Sequence, residues 1–298
     1  MTPAAGDGDP NERPSVDATL ATDAPTGASE RPSRRVALTI EFDGTAFRGW
    51  QGQPSGQRTV QGAFAAAFAS LPGRHGPVHA AGRTDAGVHA LAMVAHVDTE
   101  SRIPDEKLRR ALDAHLPRDV AVNAVQTVDA GFEAQFGCRY RRYVYRLRPV
   151  RDVPRGRALD RKRVLMIDQL LDVPAMRAAA GRFEGQRDFS SLATQETRSR
   201  VRTVHLCDLR EERGELRLHV AGDGFLRGMV RAIVGTLLRV GRGTVAPEAI
   251  DALLDARDRS RAGSAVPPHG LYFAEAGYEP WDRARSEAAL AALLDAVG

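Results

Sequence analysis

Cysteine is nearly absent from this chain. Two occur among 298 residues, Cys138 and Cys207, and they have no CxxC spacing. No disulfide framework is expected, and a reducing cytoplasm is the expected location. No apolar run has the length needed to span a bilayer. The N-terminus has no apolar stretch behind basic residues, so no secretory signal is expected. Lysine is equally scarce, with Lys107 and Lys162 the only two. The positive charge is therefore almost all arginine, which a GC-rich coding bias alone would favour.

The charge is unevenly spread. Residues 1–33 hold six acids and two arginines, which leaves 40 basic against 32 acidic residues in the remainder, a net +8. A basic body suits a polyanionic partner such as nucleic acid. Residues 1–34 are rich in Pro, Ala, Thr, Asp, Gly and Ser without apolar periodicity, and read as a disordered tail.

Alternation of Val36, Leu38, Ile40 and Phe42 predicts a strand, and Val60, Phe64, Phe68 and Leu71 predict a helix capped by Thr59. Short strands at 78–81 and 91–97, a helix over 104–116 and a strand over 120–128 complete an order β-α-β-β-α-β. The second half repeats it. A strand is expected at 143–147, a helix at 173–183, a hairpin from 201–209 and 215–222, and a helix whose buried face is Phe225, Met229, Ile233 and Leu237. A short helix over 247–255 and a strand at 270–278 follow. The expected class is α+β, with two ferredoxin-like (βαββαβ) halves, 35–138 and 139–282, whose antiparallel sheets form one central cleft. A helical tail is expected over 283–298.

The densest chemistry lies in "AAGRTDAGVHAL" (80–91). Glycines on both sides let the backbone bend and approach closely. Arg83 can hold a carboxylate or a phosphate in fork geometry, which would favour ionised Asp85. Alone, the string reads more readily as an Asx-turn beside a solvated arginine. His79, His89 and His96 fit no regular zinc spacing, and no metal is expected.

Companion segments change that reading. "GRTDAGVHA" (82–90) resembles the catalytic motif of the tRNA pseudouridine synthase A family. So do "EFDGTAFRGWQGQ" (41–53), "TVQGAF" (59–64), "RYRRYVYRL" (139–147), "RDFSSL" (187–192), "GFLRGMVRAIVG" (224–235) and "GLYFAEAGY" (270–278). They fall in the family's order across roughly residues 36 to 281. Gly228, Ala232 and Gln135 depart from its usual pattern.

The resemblance implies an isomerase that converts uridine to pseudouridine at positions 38, 39 and 40 of the tRNA anticodon arm. It implies a homodimer with no metal and no cofactor. It implies Asp85 as the catalytic aspartate, Arg83 as its neighbouring arginine and Tyr143 as the ring that packs on the target base. Ten basic residues between Arg139 and Lys162, interleaved with tyrosines, suggest a phosphate-gripping rim. Arg48, Gln51, Arg139, Arg141, Arg142, Arg227 and Arg231 are the candidate RNA contacts. Tyr140, Tyr145 and Trp50 read as core. The nearest alternative is a related synthase acting on other uridines, and the alternative from another class is a non-catalytic RNA-binding or RNA-folding protein with the same cleft.

Overall fold

The computed structural model describes residues 33–53, 56–150, 158–194 and 199–297. The tail expected over 1–34 falls almost wholly outside these residues, as do Arg151, Arg155 and Arg157 of the basic run. Strand β1 (Arg34–Phe42) follows its alternation closely. Val36, Leu38, Ile40 and Phe42 are buried while the residues between them are half-buried, because successive strand side chains point to opposite faces. Helix α1 (Val60–Ala69) begins at Thr59, whose side chain accepts from the Gly62 N–H at 3.2 Å. Strands β2 (His79–Ala80) and β3 (His89–Thr99), helix α2 (Asp105–His115) and strand β4 (Val120–Val128) follow. Asp105 and Glu106 occupy the first turn of α2, where acids complement the helix dipole.

The second run comprises β5 (Tyr140–Pro149), β6 (Leu165–Ile167), α3 (Val173–Gly181), β7 (Gly185–Asp188), β8 (Val201–Glu212), β9 (Glu215–Gly222), α4 (Met229–Gly241), α5 (Ala249–Asp255), β10 (Leu271–Gly277) and α6 (Arg283–Val297). The β8–β9 hairpin turns on Arg213 and Gly214, both at positive φ (52° and 75°), as a tight two-residue connection demands. Neither β6 nor β7 is expected from the sequence. At three and four residues they are too short to display a period.

The ten strands among the described residues share one sheet, ordered β4-β1-β3-β10-β5-β9-β8-β7, with β2 paired to β3 and β6 to β5. Along the first run the order is β4-β1-β3-β2. Along the second, β10-β5-β9-β8 repeats that fourth-first-third-second pattern. The two meet where β10 runs parallel to β3, through Tyr272↔His89 and Phe273↔Ala90. The sheets expected side by side are thus continuous through a two-residue seam. Residues of α1 to α4 form the main core on one face, together with Tyr143 and Tyr145. On the opposite face Leu290 of α6 packs on Val144 and Ala274.

One expectation needs correcting. Met229, Ile233 and Leu237 do line the buried side of α4, but Phe225 does not belong to that helix. Gly228, at φ +74°, turns the chain immediately before Met229, so Phe225 lies in the preceding loop. Among the described residues no helix is long and apolar enough to cross a membrane.

Candidate active site

The segment from Ala81 to Val88 sits just ahead of β3, at the seam. The Ala81 N–H donates to the Val94 carbonyl at 2.8 Å, and the Val88 N–H closes a turn onto the Asp85 carbonyl at 3.2 Å. Gly87 supplies the positive φ (+79°) that this turn needs. The loop after β1 clamps the other side. The Trp50 N–H donates to the Thr84 carbonyl (3.1 Å), and the Gly87 N–H donates to the Phe47 carbonyl (3.3 Å). Gly49 permits this approach, since a Cβ there would lie 2.5 Å from the Thr84 oxygen. His89 locks the base of the motif. Its Nδ1 accepts from the Gly44 N–H at 3.1 Å, and its Nε2 meets the carbonyls of Lys162 and His269 at 3.0 and 3.1 Å. Both ring nitrogens are thereby occupied, which makes His89 a structural member of the site.

The Asp85 carboxylate is about one-third exposed and faces the start of α4. Nη1 of Arg231 donates to its Oδ2 at 3.3 Å, and Nε of Arg227 lies 3.8 Å from its Oδ1. Arg231 is itself held. Its Nε donates to the Val266 carbonyl at 2.6 Å and its own carbonyl accepts from the Val266 N–H, while the Tyr145 hydroxyl pins the adjoining Pro267 carbonyl at 2.7 Å. The guanidinium expected beside Asp85 was that of Arg83, two positions away. In this structure Arg83 is exposed in the groove lining, and the ion pairs of Asp85 are with Arg227 and Arg231. A residue 146 positions distant holds the carboxylate instead. The Asx-turn reading of Asp85 also lapses, because the side-chain contacts of Asp85 run to arginines.

Tyr143 lies on β5 beside Phe273 of β10. Its ring is 9% exposed and meets Phe225 and Phe273 edge-on, with centroids 5.1 and 5.2 Å away. A Cβ added at Gly82 would lie 3.7 Å from its hydroxyl oxygen. Burial pushes the Tyr143 phenol well above its ordinary pKa, and the nearby Asp85 charge adds to the effect. The ring therefore stays neutral. Burial likewise raises the Cys138 thiol at the groove wall, which removes it as a nucleophile.

Asp85, Arg83, Tyr143, Arg227 and Arg231 line one groove of about 1400 Å³. A carboxylate held by guanidiniums in a cleft beside a neutral buried phenol is suited to chemistry on a flat polar substrate. Comparison with known sequences decides the family. The profile described as tRNA pseudouridine synthase matches residues 38–140 and 179–279. The chain is 45% identical over 249 residues to tRNA pseudouridine synthase A of Thermus thermophilus, covering 82% of this chain and 97% of that protein. Against the protein of the same name from Xanthobacter autotrophicus it is 41% identical, covering 82% and 99%. The counterpart from an Exiguobacterium species is 38% identical over 84% of this chain and all of its own length. This chain belongs to the tRNA pseudouridine synthase family.

Members of a tRNA pseudouridine synthase family are isomerases whose substrate is bulky, so the rim of the groove matters as much as its floor. Arg48 and Gln51 are exposed at that rim, and Gln51 is steadied by a 2.8 Å bond from its Nε2 to Gln61. Arg141 lines the wall, but its guanidinium donates to the carbonyls of Ala81, Gln135, Cys138 and Asp223 at 2.6–3.0 Å. It braces the groove from within. Arg139 is exposed but does not line the groove. Arg142 corrects the sequence reading outright. It is fully buried on the opposite face of β5, bound to Ser286, His219 and Glu287, and cannot meet a phosphate. Tyr140, Tyr145 and Trp50 are core, as expected.

The structure also adds residues to which the sequence reading assigned no role. Thr84 has a buried hydroxyl without a partner among the described residues, beside Asp85 in the groove lining. Arg202 and Phe136 line the same groove from β8 and from the loop before β5. Nothing in their spacing would have singled them out. No group of three or more His, Cys, Asp or Glu among the described residues could hold a metal ion.

Proposed function

We propose that this chain isomerises uridine to pseudouridine in tRNA, at positions 38, 39 and 40 of the anticodon arm, with Asp85 as the catalytic carboxylate and no cofactor. The observation that carries this reading is the Asp85–Arg231 ion pair beside Tyr143 in a basic groove, within a chain of this family. The three positions and the homodimer come from the resemblance of the seven ordered motifs to the synthase A family, and the cytoplasmic location from the scarcity of cysteine.

The reaction breaks the bond between N1 of the base and C1′ of the ribose. The base rotates, a bond forms between C5 and C1′, the C5 proton leaves to solvent, and N1 takes up a proton in its place. A carboxylate serves by attacking C1′, by taking a proton from the sugar or by attacking the base, and each route needs it ionised. Arg231 favours that state by placing positive charge against it. The neutral Tyr143 ring offers a stacking face that holds a detached base without reading its identity. The uridine must first leave its stack, at a cost of about a few kcal/mol. The exposed Arg83 and Arg227 are placed to take the phosphates of the extruded strand.

Tritium release from tRNA labelled at C5 of uridine tests the reading. Wild-type protein is expected to turn over, and Asp85→Asn to lose roughly 10³-fold in rate while still binding tRNA. Binding without release in the wild type would leave a non-catalytic RNA-binding protein. Mapping pseudouridine in a tRNA mixture separates positions 38–40 from other uridines, and elution mass at dilute concentration tests the dimer.

A further inference from the structure

Four large apolar side chains stand exposed among the described residues: Phe136, Leu159, Leu170 and Val201. Of these, only Phe136 lines the groove that holds Asp85. Its ring is 81% exposed, although burying such a ring would return about 1.5–3 kcal/mol. A loose loop would account for an exposed ring, but this one is tightly tied. The Gly137 N–H donates to the Glu133 carbonyl at 2.9 Å, and the Ala134 N–H donates to His96 Nδ1 at 3.1 Å. The Tyr278 hydroxyl donates to the Ala134 carbonyl at 2.9 Å. Arg141 donates to the carbonyls of Gln135 and Cys138 at 2.6 and 3.0 Å. Residues on both sides of Phe136 are anchored, and the ring alone is left in solvent.

An exposed aromatic ring on an anchored backbone, in a groove with exposed guanidiniums, suits one ligand chemistry well. Single-stranded RNA offers unpaired bases that stack on aromatic rings and phosphates that meet arginine. The target uridine already has its place beside Asp85 and Tyr143, where the phenol ring is 9% exposed in the floor. We propose that Phe136 is the stacking platform for a second, unpaired nucleobase of the tRNA, a neighbour of the target uridine. The energy gained there helps hold the strand open while the target base is out of its stack. This inference rests on the reading that the chain acts on tRNA.

Tritium release and tRNA filter retention should be compared for wild-type protein, Phe136→Ala, Phe136→Leu and Phe136→Trp. With the ring exposed, all four should melt alike. Phe136→Ala is expected to raise KM and Kd for tRNA roughly 10-fold, with the loss in KM rather than in kcat. Phe136→Leu, similar in bulk but without a π face, should behave as Phe136→Ala, whereas Phe136→Trp should bind as wild type does. The indole introduced by Phe136→Trp should be quenched on adding tRNA, beyond any change from Trp50 and Trp281. A Kd for Phe136→Ala within twofold of wild type would overturn the proposal, as would full binding by Phe136→Leu. Wild-type protein that binds tRNA without releasing tritium would sink the functional reading alone, because the variants are still compared by Kd.

Discussion

The two faces of β5 use arginine in opposite ways. Arg142, Arg146 and Arg148 share one face, and all three are neutralised. Arg142 pairs with Glu287 at 3.1 Å, while Arg146 and Arg148 both grip Glu215, whose side chain is 2% exposed. Neighbouring Arg210 and Arg217 join the same network through Glu287 and Glu215. The other face carries Tyr143 and looks into the groove. There Arg48 and Arg83 have no ion pair among the described residues, and Arg227, 71% exposed, reaches only Asp85 at 3.8 Å. The difference lies in the carboxylates supplied to each face. On the proposed reading, the RNA-binding surface is made by supplying few acids, Asp85 and Asp223 being those in the groove lining, since arginines are plentiful on both sides.

The largest effect that would break this comparison concerns Arg142. Arg142→Met strips a buried guanidinium from Ser286, His219 and Glu287. Breaking such a site costs about 3 kcal/mol, which lowers Tm by roughly 6 °C or more for a domain of this size. Thermal scans should show that drop, while the Kd for tRNA and its salt dependence remain those of wild type at temperatures where the protein is folded. Unchanged Tm with weakened tRNA binding would return Arg142 to the RNA surface.

A smaller effect follows acid. Burial works against a charge on Glu215, but the hydrogen bonds and charges of Arg146, Arg148 and Arg217 outweigh it and bring its pKa down to about 2. Hydrogen bonding from Arg210 likewise holds Glu287 at about 2. Both folded values lie below the ordinary 4.5. Their stabilisation is therefore complete above pH 4.5 and is lost as pH falls from 4.5 towards 2. Tm measured between about pH 7 and pH 3 should fall steeply only below that point. Glu215→Gln should start lower at neutral pH and show a shallower acid decline.

Much of this was legible in the sequence because it is local. The period of β1, the Thr59 cap and the acids opening α2 are each written within a few residues, and the structure follows them. The motif around Asp85 was legible for a different reason, since seven ordered segments resemble one family. What escaped depends on long-range placement. The guanidinium on Asp85 comes from Arg231, which only the seam between β3 and β10 brings near. Arg142 reads as one more basic residue in a basic run, and the strand's alternation, not its composition, sends it inward. Phe225 keeps helical spacing with Met229, yet a single positive φ at Gly228 removes it from the helix.

The finest test asks whether RNA senses the groove or merely the net charge. Arg227, 71% exposed, lies in the groove beside Asp85; Arg283, 61% exposed, bridges Asp208 from α6 at 3.4 Å. Replacing either with Gln removes one charge and should leave Tm nearly unmoved, since exposed pairs contribute about 1 kcal/mol or less. A phosphate contact, however, releases a counterion. Arg227→Gln should make the slope of log Kobs against log salt less negative by about 0.7–0.9, with Arg283→Gln leaving it unchanged. Equal changes from both variants would mean that tRNA responds to the total charge of the body. The unequal supply of acids to the two faces would then say nothing about where the RNA lies.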